Sequence, residues 1–200
     1  MKAAPRAFAF ADLDFKPVTG RRWLDLQKLF GPNGADSGCW CMWWRQTREE
    51  FKRCHGEPNR RAMEGLIRAG EVPGILAYHE EQPVGWCSVA PRERFPALDR
   101  SPNLKPVDGE RVWSIACFFI PRQHRRRGLS GHLIRAAVEY ALSRGAPAVE
   151  AYPVDPRHSS SRPAAAFTGL VDTFLAAGFR EVARRSPRRP ILRWRPPRSL

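Results

Sequence analysis

The segment Arg125-Arg126-Arg127-Gly128-Leu129-Ser130-Gly131 has the residue types and spacing of an anion site. An apolar run from Val112 to Ile120 leads into it. A helical pattern follows, with Leu133, Ile134, Ala137, Val138, Ala141 and Leu142 on one face. The first N–H groups of such a helix lack intrahelical partners and lie at the positive end of its dipole. Gly128 presents no Cβ to a ligand approaching the backbone, and small Ser130 and Gly131 keep the first turn open. The three arginines add countercharge. The expected chemistry is the holding of a phosphate or pyrophosphate, beyond that of a merely solvated basic turn. The spacing is neither a Walker A loop nor G-x-G-x-x-G.

Two further groups invite chemistry. The segment Gly38-Cys39-Trp40-Cys41-Met42-Trp43-Trp44-Arg45 is dense in rings and sulfur. Trp40, Trp43 and Trp44 are open to two roles: packing as core, or presenting aromatic faces to a cation. On the apolar run Ala148 to Val154, alternation puts Glu150 and Tyr152 on one face. They read either as acid and base or as a solvent-facing Glu and a packing Tyr. The spacing Cys39-x-Cys41 with Cys54-His55 is not the paired C-x2-4-C of structural zinc. The five cysteines therefore read as reduced, mostly buried small hydrophobes, and no metal is expected.

These residues need elements to position them. Ala7 to Leu13 reads as a first strand. Thr19 is placed to cap a helix carrying Trp23, Leu26, Leu29 and Phe30. Thr47 and Glu50 have the capping-box spacing and should start a second helix. An interruption at Gly56-Glu57-Pro58 follows, with Asn59 capping a second piece. Gly74 to His79 and Val84 to Ala90 read as a hairpin, Pro91 to Glu110 as a polar loop, and Val112 to Ile120 as a central strand. A crossover helix then leads to a parallel strand from Ala148. A small-residue helix spans about Pro163 to Ala177, and two short strands, Phe179 to Ala183 and Ile191 to Trp194, close the chain.

Composition bounds the function classes. With 42% hydrophobic and 27% charged residues, the 200-residue chain is neither disordered nor in need of a metal or disulfide staple. No apolar run reaches the roughly 18 residues of a membrane span. Met1 to Arg6 offers no apolar leader before Asp12 and Asp14, so the expected setting is cytoplasmic. The net charge of +14 invites nucleic acid. No helix-turn-helix, zinc-finger or RNP-type pattern supports it, and much of the excess falls between Arg180 and Arg198. A phosphorylated cofactor fits the charge equally well.

Arg125-Arg126-Arg127-Gly128-Leu129-Ser130 resembles the [QR]-x-x-G-x-[GA] acetyl-coenzyme A loop of the GNAT N-acetyltransferase superfamily, with Ser at its last place. The element order from Ala7 to Trp194 is similar to that family, as is Ala177-Gly178-Phe179 after the late helix. Gly38 to Arg45 resembles a mark of one bacterial subgroup. The resemblance puts Trp40, Trp43 and Trp44 where the family forms part of its acceptor site, able to cradle an ammonium or an aromatic acceptor. The resemblance implies a single three-layer α/β domain over 1–200, with core about 7–195 and a mixed, centrally splayed sheet. Its order would be β-α-α-β-β-β-α-β-α-β-β. It implies that acetyl-coenzyme A lies in the splay, with its pantetheine along Cys117, Phe118, Phe119 and Ile120. Its pyrophosphate would sit on the amides of Arg126 to Gly131. It implies direct acetyl transfer to a primary amine, and homodimers are common in the family.

The chain departs from the family pattern in two places. Phe174 stands where the late helix often carries a tyrosine acid, four residues before Gly178. Trp113, Ser114 and Cys117 stand where the strand before the loop often carries a glutamate base. Glu150 and Tyr152 are the replacements on offer. A coenzyme A-binding regulatory module without activity is the alternative, and a basic nucleic-acid-binding protein the third reading.

Overall fold

The structure, a computed structural model, describes residues 7–158 and 167–197. Seven strands form one sheet: β1 (Asp14–Pro17), β2 (Ile75–His79), β3 (Gln82–Pro91), β4 (Trp113–Phe119), β5 (Val149–Ala151), β6 (Arg180–Ala183) and β7 (Ile191–Trp194). They lie in the order β1-β2-β3-β4-β5-β7-β6. Every neighbouring pair is antiparallel except β4 and β5. That parallel pair requires a crossover, which α5 (Leu129–Ser143) provides.

Two irregularities in the sheet coincide. Pairing of β4 with β5 ends at Ile115↔Ala151, while β4 runs on to Phe119, so the sheet splays there. On β4's other side the partners step from Ser88↔Cys117 to Val89↔Ile115, leaving Ala116 as a bulge. A bulge bends a strand and re-aims the residues beside it. The end of β4 is thereby turned into an open cleft.

Helices cover both faces. On one, Leu26, Leu29 and Phe30 of α1 (Trp23–Phe30) and Met63 and Ile67 of α3 (Glu57–Arg68) pack on Leu76, Tyr78, Trp86 and Cys117. On the other, Leu129, Leu133, Ile134, Ala137 and Ala141 of α5, with Val171 and Phe174 of α6 (Val171–Ala176), pack on Ile75, Cys87, Val89, Ile115 and Val149. The layered, centrally splayed α/β architecture is the one expected.

Several local expectations are corrected. Ala7 to Leu13 is not a strand: Phe10–Asp12 is a 3-10 turn and pairing begins at Asp14. The Phe8 N–H instead donates to the Arg127 carbonyl at 3.0 Å, which draws this segment onto the loop before α5. Thr19 makes no side-chain cap, because a 3-10 turn, Gly20–Arg22, precedes α1. The Thr47–Glu50 capping box is present and starts α2 (Arg48–Arg53). Asn59 caps nothing. Helix α3 begins at Glu57 with Pro58 in its first turn, and Asn59 is buried, donating to the Gly38 carbonyl at 3.1 Å.

The expected polar loop after β3 contains α4 (Pro96–Arg100), and it buries Phe95, Leu98 and Leu104 against Ala90, Ala116, Tyr152 and Ile191. Of the late helix, α6 is shorter than expected, and the expected start at 163–166 lies outside the described residues. No helix among the described residues is long and apolar enough to cross a membrane.

Candidate active site

After β4 a 3-10 turn, Arg122–His124, delivers the chain to the basic loop. Arg126 and Gly128 take left-handed backbone, at φ +61° and +77°. No side chain caps α5, whose Gly131 and His132 N–H groups donate to the Gly128 carbonyl at 3.1 and 3.5 Å, so no side chain competes with a ligand at the helix start. A Cβ built on Gly128 would meet only His132 Nε2, at 3.9 Å, so the space above the turn is open. The Leu129 side chain is buried in the core, which anchors the helix start and leaves only its backbone for binding.

The three arginines part company. Arg125 lines the cleft and donates to the Ile120 carbonyl at 2.8 Å, which ties the loop to the end of β4. The Arg127 guanidinium stacks 3.7 Å from the centre of the Phe8 ring. Ser130 and Ile134 join Arg125 in the cleft wall, whereas Arg126, Arg127, Gly128, Leu129 and Gly131 do not line it.

The cleft has a volume of about 730 Å³ and begins where the sheet splays. All four expected β4 residues, Cys117, Phe118, Phe119 and Ile120, line it. Phe167, Gly169, Leu170 and Thr173 close it from the far side. Gly169 has φ +82°, and a Cβ there would come within 2.7 Å of the Phe174 ring and 3.2 Å of Phe118. Phe174 is fully buried against Phe118 and Phe179 and has no proton to give.

The opposite wall comes from the turn before α2 and from α2 itself. Trp40 packs as core: its ring contacts Trp23 and Phe30, and a Cβ on Gly34 would collide with its indole at 2.2 Å. Trp43 and Trp44 do line the cleft, together with Phe51, and Trp43 meets Phe51 edge-on at 4.9 Å. His55, one turn beyond Phe51, stands at the same wall beside Asp36 and Ser37. Its Nδ1 lies 2.9 Å from the Ser37 carbonyl. A carbonyl only accepts, so Nδ1 carries a proton, and in the neutral ring the lone pair is on Nε2. The sequence offers His55 only as a rejected metal ligand beside Cys54, not as part of this wall. The capping box together with the i, i+4 spacing of Phe51 and His55 was the available signal.

Glu150 and Tyr152 share a face, as alternation requires, but neither lines the cleft. Tyr152 donates to Glu150 at 3.0 Å and lies 2.8 Å from Ser114 Oγ, and Arg92 donates to Tyr152. Glu150 is paired with Arg193 at 2.7 Å. Burial first, and then the Glu150 charge, push the Tyr152 phenol well above its ordinary range. The other two tyrosines also lie outside the cleft lining: Tyr78 donates to Asp25 and Tyr140 packs on Trp113. Among the described residues, no group of three His, Cys, Asp or Glu side chains is placed to hold a metal ion.

The sequence profile of the Acetyltransferase (GNAT) family matches residues 39–167, more than half of the chain. The chain belongs to the GNAT family. It is thereby an acetyl-coenzyme A-dependent N-acetyltransferase by class, with acetyl-coenzyme A as cosubstrate. No curated protein matches the sequence. Among solved structures, a GNAT-family acetyltransferase from Streptococcus agalactiae is similar, with TM-score 0.56 and 12% identity over 93% of this chain and 96% of that one. One from Listeria monocytogenes gives 0.55 and 12% over 92% and 94%. The PaiA N-acetyltransferase of Thermoplasma acidophilum, solved with coenzyme A, gives 0.51 and 8% over 92% and 98%. At these identities the likeness is one of fold. The GNAT cosubstrate fits the residues present: an open glycine turn with arginine, and an apolar groove along an unpaired strand end.

Proposed function

We propose that this protein, as one domain over 1–200, transfers acetyl directly from acetyl-coenzyme A to the primary amine of an acceptor with an apolar or aromatic body. One observation carries this reading: a single cleft is lined by Arg125 and Ser130 at one end and by Trp43, Trp44, Phe51, Asp36 and His55 at the other. The amides of Arg126 to Ser130 and the Arg125 guanidinium hold the pyrophosphate. The pantetheine lies along Cys117 to Ile120, where β4 has no strand partner on that side. When bound, acetyl-coenzyme A supplies an activated thioester.

The chain's own groups serve the acceptor. Asp36 draws the ammonium to the cleft, and the tryptophan and phenylalanine faces hold its body. His55 takes the amine proton on Nε2, the nitrogen that its bond to Ser37 leaves unprotonated. With no tyrosine in the cleft lining, the departing sulfur leaves as thiolate, a tolerable leaving group for a thiol of pKa about 8.5. In place of their expected catalytic role, Glu150 and Tyr152 brace β5 from below. Five free cysteines support a reducing, cytoplasmic setting, and Gly38 to Arg45 supports the bacterial subgroup.

The test is thiol release from acetyl-coenzyme A with arylalkylamines set against polyamines. Faster turnover of the arylalkylamines is expected, and His55→Gln should lower kcat while leaving coenzyme A binding intact. Tight coenzyme A binding without thiol release from any amine would replace this reading with the regulatory module.

A further inference from the structure

In the wall of the cleft, Cys41 and Cys117 bring their sulfurs to 3.1 Å, although 76 positions apart in sequence. A disulfide bond is about 2.05 Å long, so about 1 Å of approach closes the gap. The pairing is built rather than incidental. Cys41 and its neighbour Trp40 both hold left-handed backbone, at φ +55° and +45°, which L side chains rarely adopt. The Trp86 indole N–H donates to Cys41 Sγ at 3.1 Å and fixes its rotamer. Trp40, seated over Gly34, anchors the turn from below. Of the other cysteines, Cys87 is buried on the opposite face of the sheet. Cys39, whose thiol also reaches the Gly34 carbonyl at 3.8 Å, hydrogen-bonds Cys41 and is the competing partner.

We propose that Cys41 and Cys117 form an oxidisable dithiol, converted reversibly to a disulfide by a hydroperoxide entering through the cleft. The Cys117 sulfur attacks the peroxide and breaks its O–O bond, giving a sulfenic acid and releasing water from hydrogen peroxide. The Cys41 sulfur then attacks the sulfenic sulfur. The S–S bond forms as the hydroxyl leaves with the Cys41 proton as a second water. Two thiols lose two electrons and two protons, and the peroxide takes up both. Burial pushes the Cys41 thiol up, which slows its own attack on peroxide and leaves the first step to Cys117. The bond ties the turn carrying the tryptophan wall to β4. It depends on the paired geometry alone and goes beyond the acetyl-transfer reading.

The experiment treats the reduced full-length protein with equimolar hydrogen peroxide, without coenzyme A, and counts alkylatable thiols by intact mass. The expected result is a drop from five thiols to three, a mass lower by about 2 Da before alkylation, and a tryptic cross-link joining the Cys41 and Cys117 peptides. Dithiothreitol should restore all five. Cys39→Ser with Cys54→Ser should still lose two thiols, whereas Cys117→Ser should lose none to a disulfide. Five thiols remaining in the treated parent, or a link between Cys39 and Cys41 instead, overturns the proposal. Because no step uses acetyl-coenzyme A, its failure is separate from any failure of acetyl transfer.

Discussion

Glu150 and Arg193 stand directly opposite each other in the β5–β7 register, and the carboxylate accepts two hydrogen bonds from the guanidinium at 2.7 and 3.1 Å. Both side chains are buried. Arg193 also reaches Asp108 and Glu110, and Arg92 reaches Glu150 at 3.5 Å and Asp99 at 2.7 Å. The network fastens the 91–110 excursion beneath β5 and β7. Removing one member of a buried pair leaves uncompensated charge, at a cost of about 3–5 kcal/mol. Glu150→Ala should therefore lower the urea midpoint strongly. Coenzyme A affinity of the folded fraction should be unchanged. A stable variant with lost turnover would instead assign Glu150 to the chemistry.

The turn before α5, proposed to hold the pyrophosphate, is tested at two positions. Gly128→Val forces a branched side chain into left-handed backbone and into the open space above the turn, so coenzyme A binding should vanish. Arg125→Ala removes one charge-assisted contact of roughly 1.5–3 kcal/mol, a loss of about 10- to 100-fold in affinity that shrinks in high salt. Calorimetric titration with coenzyme A reads both, and melting curves control for folding.

Trp40 and Trp43 should separate packing from acceptor binding. Trp40 is buried, whereas Trp43 is 42% exposed and lines the cleft. Trp40→Leu should destabilise the fold, approaching the 3–5 kcal/mol of a truncated core aromatic. Trp43→Leu should leave the urea midpoint nearly unchanged and raise KM for the amine without altering coenzyme A affinity. Steady-state kinetics beside urea unfolding distinguish them.

Asp155 gives a pH dependence of known sign. Hydrogen bonds from Arg157 and, more weakly, Arg184 hold its carboxyl at about 2, below the ordinary 3.8. A depressed folded-state pKa stabilises the fold above the unfolded value and loses that contribution as pH falls through the folded one. The melting-temperature gap between parent and Asp155→Asn should thus be full at pH 7 and shrink between about pH 4 and pH 2. A gap that persists at pH 2 would show that the ion pairs are not its source.

The basic glycine turn opening into α5 was legible in the sequence because its signals are local. A buried strand, a glycine able to take positive φ, and an apolar face at helical spacing each depend on residues within a turn or two. The Thr47–Glu50 box was legible for the same reason. Strand β1 was misread because Phe8 is captured by Arg127, a contact between distant parts of the chain that alternation cannot register.

The sequence by itself determined the layered α/β architecture, the basic glycine turn and the absence of a tyrosine at position 174. Tertiary structure alone decided which face of β5 is roofed by the 91–110 excursion, and so turned Glu150 and Tyr152 into a buried ionic network. It also put Trp40 in the core and Trp43 in the cleft, brought His55 to the cleft wall, and set Cys41 against Cys117. Periodicity says which side of an element a residue occupies. What covers that side is chosen by packing between segments far apart in the chain, and no local pattern encodes it.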